Sequence, residues 1–166
     1  MWLRTATKDD IPAVRDLLVE TWHATFDDIL GVETVNAITN KWHSLDALKK
    51  QLSKPYSEFI LADDGSDLFG MAFASQSDQT FASLHQLYVR PQNQTQGVGS
   101  LLLVEVESAF PNVRKLKLEV IEKNTKALQF YEAKGYIRTG RTENWGEVDS
   151  NIAVLTLEKP LADWSL

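Results

Sequence analysis

Ile11, Val14, Leu17, Leu18, Thr21 and Trp22 recur every three to four positions, a spacing that lays one apolar stripe along an α-helix. The stripe predicts a first helix with Thr7 as N-cap, an acid three residues on and Pro12 near the first turn, broken at Gly31. Residues 32–42 and 45–52 are amphipathic at the same period and predict two more helices, the second opened by Ser44 and ended before Pro55. A short strand over residues 3–6 precedes the three. From Tyr56 the texture becomes strand-like: residues 58–62 and 68–75, joined by the turn-rich Asp63-Asp64-Gly65-Ser66-Asp67 as in a hairpin, and then 81–89. Residues 97–110 read as a helix that begins on glycines and stops at Pro111-Asn112. Residues 113–120 read as a strand, and 124–134 as a helix closed by Gly135. Strands over 136–142 and 151–157, with Trp145-Gly146 in the loop between them, complete the pattern.

The order is therefore β-ααα-βββ-α-β-α-ββ, a mixed α/β architecture in which helices cover one sheet. The β-to-α units in its second half are where parallel pairing is expected. No repeat, linker or low-complexity tract divides the 166 residues, a length suited to one domain over 1–166. With 43% hydrophobic residues the chain can bury a core, which excludes a disordered protein. The absence of cysteine excludes disulfides, thiolate metal centres and a cysteine nucleophile, and agrees with a reducing cytoplasm. The N-terminal residues lack the apolar core of a signal peptide, and the most apolar stretch, 101–106, contains Glu105, so no membrane span is expected. A net charge of −6 and a pI near 5.1 argue against a nucleic-acid partner and favour cationic or neutral ones. His23 and His43 have no second ligand at metal-site spacing, so no metal is expected.

Candidate chemistry begins between the strand at 81–89 and the helix after it. There the chain reads Gln94, Thr95, Gln96, Gly97, Val98, Gly99, Ser100. Glycines at 97 and 99 let backbone approach a ligand, and the unpaired N–H groups of a helix's first turn, with its dipole, suit a pyrophosphate. Without a lysine after the glycines or a third glycine, neither the P-loop nor the dinucleotide fingerprint is met. In its context the segment is more specific. Leu87-Tyr88-Val89-Arg90-Pro91 followed by Gln94-x-x-Gly97-x-Gly99 resembles the coenzyme A loop of the GNAT N-acetyltransferase superfamily. Downstream, Leu118-Glu119-Val120 with Asn124, Ala127, Phe130, Tyr131, Gly135 and Tyr136 is similar to the next strand and helix of that family.

The resemblance implies a GNAT fold, with a mostly antiparallel sheet, two splayed parallel central strands and helices on both faces. It also implies an acetyl-CoA-dependent N-acetyltransferase working without a metal or an acyl-enzyme. Leu87 and Val89 would pair through their backbone with the pantetheine arm, and the N–H groups from Gln94 to Ser100 would cradle the pyrophosphate. Asn124 would hydrogen-bond the pantetheine, with Ala127 and Phe130 flanking the coenzyme. Direct transfer needs a free amine, a donor to the oxygen on which charge develops, and a proton for the leaving thiolate. The resemblance gives the second role to the N–H of Leu87 and the third to Tyr131, a phenol of intrinsic pKa ~10. Packing beside Phe130 is the alternative for Tyr131.

The base departs from the family pattern. The position where many members carry a glutamate, eleven residues before the glutamine of the loop, is Ser83. Strand alternation puts Ser83, His85, Leu87 and Val89 on one face, which makes His85, of intrinsic pKa ~6.5, the candidate base, with Glu119 as alternative. The acceptor would meet Trp22, Phe26, Asp27 and Asp28, in a segment similar to the W-x-x-T-[YF] stretch of one GNAT subgroup, with His85 and with Trp145 and Glu147 opposite. Aromatic rings beside carboxylates suit a cationic amine; the same residues read equally as core and solvated helix end. A primary amine of a small molecule is preferred over a protein N-terminus or lysine, in a cytoplasmic monomer or homodimer. A catalytically weak acyl-CoA-binding domain is the alternative raised by Ser83.

Overall fold

In the computed structural model, which describes residues 1–161, seven strands and five helices follow the predicted order. The strands are β1 (Trp2–Thr5), β2 (Ser57–Asp63), β3 (Leu68–Gln76), β4 (Phe81–Val89), β5 (Lys115–Ile121), β6 (Ile137–Thr142) and β7 (Val154–Pro160). The helices are α1 (Ile11–Leu30), α2 (Val32–Trp42), α3 (Leu45–Leu52), α4 (Val98–Ser108) and α5 (Thr125–Ala133). The strand order is β1-β2-β3-β4-β5-β7-β6. β4 and β5 are the parallel pair, and β1–β2, β2–β3, β5–β7 and β6–β7 are antiparallel. No helix among the described residues is long and apolar enough to cross a membrane.

The chain divides into two units, residues 1–75 with 86–109, and residues 76–85 with 110–161. In the first, register fixes which side chains share a face. Phe59 pairs with Phe73 and Leu61 with Met71, and these four join Ala6, Ile11, Val14, Leu17, Leu18 and Leu48 in one core, which places α1 and α3 on that face. Gly70 points the other way, toward α4. A Cβ there would lie 3.1 Å from Leu102 and 3.2 Å from Val98, so glycine is what lets α4 seat on the strand. Helices thus cover both faces of this unit.

The start of α1 differs from expectation. A single 3₁₀ turn, Lys8–Asp10, intervenes between Thr7 and the helix. The Asp10 carboxylate accepts from the Thr7 N–H (2.7 Å) and hydroxyl (3.0 Å), and both its oxygens accept from Arg4 at 2.8 Å. Arg4 holds the Asp10 carboxyl down to about 2. Because Arg4 also donates to Asp63 (2.8 Å), one guanidinium joins β1, β2 and the start of α1.

In the second unit Phe81 to Leu84 pair in parallel with Lys115 to Leu118, and β5 pairs antiparallel with β7 from Lys115↔Pro160 to Ile121↔Val154. One face buries Ala82, Leu84, Leu116, Leu118, Val120, Leu155 and Leu157. The other carries Ser83, Lys117 and Glu158, with the Lys117 ammonium 4.1 Å from the centre of the Phe81 ring. β7 begins three residues later than the apolar pattern predicts, because Asp149 (φ 62°) and Asn151 (φ 59°) take left-handed backbone that a strand cannot continue. α4 begins after Gly97 and ends at Ser108, β5 spans Lys115–Ile121, and Tyr136 is a buried cap residue rather than part of β6.

Candidate active site

The sequence predicts coenzyme pairing along the C-terminal half of β4. The N–H of Arg90 donates to Phe69 on β3 (2.8 Å). Successive residues of a strand direct their backbone groups to opposite edges, so Leu87 and Val89 point theirs away from β3. Registered pairing of β4 with β5 runs to Leu84↔Leu118, and β4 continues to Val89. The Val89 carbonyl accepts from the Gln94 side chain (3.0 Å), so the loop glutamine folds back on the strand it follows and leaves the Val89 N–H as the pairing group.

A 3₁₀ turn, Pro91–Asn93, then leads into the loop. Thr95 (φ 66°) and Gly97 (φ 84°) both take the left-handed conformation, at a cost for the threonine of ~1 kcal/mol. Such turns direct successive N–H groups inward as an anion-binding concavity. No side chain caps α4, and its first helical hydrogen bond is Leu101 N–H to Gly97 carbonyl (3.1 Å), so the N–H groups of Val98, Gly99 and Ser100 have no helical acceptor. A Cβ on Gly97 would meet nothing within 4 Å, so no other part of the described chain covers the loop at that residue. Buried Val98, Leu102 and Leu103 fix the helix behind them. The backbone fits a pyrophosphate.

In the second unit, Asn124 is the N-cap of α5. Its Oδ1 accepts from the Ala127 N–H (3.3 Å), which leaves the carboxamide nitrogen as the group to address a ligand. Ala127 and Phe130 are half-buried. Tyr131 is buried, with ring centres 5.1 Å from Phe130 and 5.6 Å from Tyr136, both edge-on. The Ser83 hydroxyl sits 2.9 Å from that of Ser77, so a serine pair stands at the position of the expected glutamate. His85 and Glu119 are both exposed, each one residue past the last registered pair of β4 and β5, Leu84↔Leu118. Trp145 is half-buried, with its backbone N–H donating to the Ile152 carbonyl (2.9 Å), and Glu147 is exposed.

The acceptor residues predicted on α1 divide. Trp22 and Phe26 are each 3% exposed, with ring centres 4.4 Å apart. Asp27 is 2.7 Å from His23 and half-exposed, and Asp28 is exposed. Beside Trp22 lie two residues that the sequence pattern does not point to, His43 (5.5 Å) and Tyr88 (6.1 Å). Burial, against a hydrogen bond from the Trp22 indole, pushes the Tyr88 phenol up to about 12. Burial and nearby Arg15 push His43 down to about 4, and its Nδ1 has no partner among the described residues. Strand alternation could have found Tyr88, since it must face opposite to Leu87 and Val89. No local signal marks His43.

Comparison with known proteins identifies the family. A family model described as an acetyltransferase (GNAT) domain matches residues 27–148. A probable N-acetyltransferase of Mycobacterium tuberculosis is 26% identical over 146 residues, covering 86% of this chain and 83% of that protein. A peptidyl-lysine N-acetyltransferase of Escherichia coli is 27% identical over 136 residues, covering 81% and 82%. The crystal structure of the PaiA N-acetyltransferase from Thermoplasma acidophilum in complex with coenzyme A superposes with a TM-score of 0.83 at 21% identity, over 96% of this chain and 98% of that one. The chain belongs to the GNAT acetyltransferase family and is an acyltransferase.

Proposed function

We propose that residues 1–166 form a single acetyltransferase domain that moves an acetyl group from acetyl-CoA directly to the primary amine of a small molecule or peptide in the cytoplasm. The observation that carries this reading is the loop at 94–100, where left-handed Thr95 and uncrowded, left-handed Gly97 precede an uncapped helix start. Bound acetyl-CoA supplies an activated thioester. The chain's own residues do the rest. N–H groups from Gln94 to Ser100 hold the pyrophosphate, and the N–H groups of Leu87 and Val89 address the pantetheine arm. The Leu87 N–H also steadies the carbonyl oxygen as charge builds on it. The Asn124 carboxamide nitrogen donates to the same arm, and Ala127 and Phe130 flank it. Tyr131 gives its phenolic proton to the departing thiolate, and His85, or Glu119 in its place, takes the proton of the amine. Asp27 and Asp28 attract a cationic acceptor, with Trp22 and Phe26 behind them and Trp145 on the final loop. The acidic chain favours such an acceptor, and the likeness to a peptidyl-lysine acetyltransferase supports a peptide among the candidates.

Thiol release from acetyl-CoA, measured against amines, amino acids, polyamines and short peptides, is expected to show turnover with at least one class. Tight coenzyme binding without turnover on the whole panel would instead support an acyl-CoA-binding domain, the reading favoured by the Ser77–Ser83 pair. Tyr131→Phe keeps the ring and removes the proton donor, so kcat is expected to fall roughly 10²–10⁴-fold with little change in the KM for acetyl-CoA. His85→Gln is expected to remove the lower ionisation from the kcat/KM profile, and Ser83→Glu to rescue it in part.

A further inference from the structure

We infer that Arg90 is a positioning residue for the coenzyme loop and that Glu20, on α1, holds it in place. The inference rests on the coenzyme reading above and adds residues that reading does not use. Arg90 follows the last residue of β4 and precedes the turn that enters the loop, and it is anchored in three directions. Its backbone N–H donates to Phe69 (2.8 Å), its Nε to the Leu68 carbonyl (2.9 Å) and its guanidinium to the Glu20 carboxylate (2.5 Å). Its own carbonyl accepts from the Asn93 N–H (2.8 Å), so the turn that enters the loop is built on the same residue. Pro91 follows and fixes the next φ, which passes the orientation of Arg90 on to that turn with little slack.

The consequence follows from what the loop offers. Its ligand groups are backbone N–H donors, and the direction of a backbone donor is set by the path of the chain rather than by a rotamer. Whatever fixes the chain where β4 ends therefore fixes the aim of the donors, and misplacement by about 1 Å is costly to a positioned group. Arg90 can do this because a planar guanidinium serves two acceptors in fixed, different directions, here a β3 carbonyl from Nε and an α1 carboxylate from its end; a lysine ammonium has rotatable donors at the tip alone and no such fixed fork. Its side chain is 20% exposed and that of Glu20 41%, so the pair keeps part of its strength in water. Glu20 lies two residues before Trp22, so the same contact ties the loop to the helix that carries the proposed acceptor residues. With both ends of the guanidinium engaged, its charge is spent within the protein rather than offered to a phosphate.

The test uses the full chain and two donors, acetyl-CoA and S-acetylpantetheine, which has the thioester arm and lacks the pyrophosphate. Arg90→Gln is expected to raise the KM for acetyl-CoA roughly tenfold, with kcat within about twofold and the KM for S-acetylpantetheine unchanged. Where the short donor turns over too slowly, its inhibition constant against acetyl-CoA serves. Glu20→Gln is expected to act in the same direction by about threefold, and the double variant to be no worse than Arg90→Gln alone, because both remove one contact. Arg90→Lys should fall between. An unchanged KM for acetyl-CoA would overturn the inference, as would an equal loss for both donors, which is the mark of general unfolding. Tighter coenzyme binding by Glu20→Gln would also overturn it, since that outcome means Arg90 contacts phosphate itself. If Arg90→Gln does not fold, Glu20→Gln and Arg90→Lys decide. Wild-type protein that binds no acetyl-CoA would sink the coenzyme reading instead.

Discussion

The loop at 94–100 and the helical segment at 22–28 are both seven residues long, lie in the same unit and carry residues suggestive of ligand binding, yet they are built in opposite ways. In the loop, the groups aimed at a ligand are backbone donors, and the side chains of Thr95 and Gln96 are exposed. In the helix, every backbone donor is engaged in the helix itself and only side chains are left to act. Two of those, Trp22 and Phe26, are turned into the core, and a third, Asp27, is paired with His23. A backbone site is declared by conformation, which glycine and left-handed residues reveal. A side-chain site competes for its residues with the core, and an aromatic ring serves either.

The largest expected effect tests the core side of this contrast. Trp22→Ala empties space among Phe26, His43 and Tyr88, and should cost roughly 3–5 kcal/mol of unfolding free energy, read by denaturant titration. A variant that keeps its stability and changes only the KM for the amine would erase the distinction between the two segments.

Next comes acid sensitivity, which the Trp22 region has and the loop, with no titratable side chain between Gln94 and Ser100, lacks. His43 titrates near 6.5 when unfolded and near 4 when folded. Above pH 6.5 it is neutral in both states. As pH falls from 6.5 toward 4, only the unfolded chain takes up the proton, so stability falls, by about 3 kcal/mol; below 4 both states are protonated and the loss stops. His43→Phe should flatten this part of the pH–stability curve. An identical curve for the variant would assign the acid sensitivity to other groups.

On the loop side, Gly97→Val should weaken acetyl-CoA binding roughly 100-fold, since a branched side chain would crowd a pyrophosphate held by the loop and strain a residue at φ 84°. Stability should fall by only about 1–2 kcal/mol, the left-handed penalty. Binding within a few-fold of wild type in the folded variant would show that the loop does not hold the coenzyme.

These contrasts also explain what could be read from the sequence. Element order was legible because each helix and strand carries its own period, and the loop because Gly97 and Gly99 stand at a strand-to-helix junction. The start of β7 was not, since the apolar alternation continues across Asn151 and only the left-handed backbone at Asp149 and Asn151 delays the strand. Nor was the role of Arg90, whose acceptors Leu68 and Glu20 lie 22 and 70 residues away. His43 is buried because Arg15 donates to the carbonyls of Thr39 (3.1 Å) and His43 (2.7 Å) and draws the end of α2 onto α1. Local pattern carries secondary structure and backbone-built sites; it does not carry contacts that only the tertiary fold creates.

The smallest effect concerns the residue of the helical segment that the core does not claim. Asp28 lies in the last turns of α1, where the helix dipole disfavours an acid, and no basic residue occupies the last turn to offset it. Asp28→Asn should therefore leave stability unchanged or raise it by a few tenths of a kcal/mol. If the exposed carboxylate attracts a cationic acceptor, the same substitution should raise the KM for that amine about threefold at low salt, and the difference should shrink as salt screens the charge. Asp27→Asn is the internal control, because it also breaks the contact with His23 and so loses the stabilising half of the effect. A gain in stability with no change in KM for any accepted amine would make the whole segment from Trp22 to Asp28 structural. A KM change that survives at high salt would point to a direct hydrogen bond rather than to the long-range field of an acidic helix end.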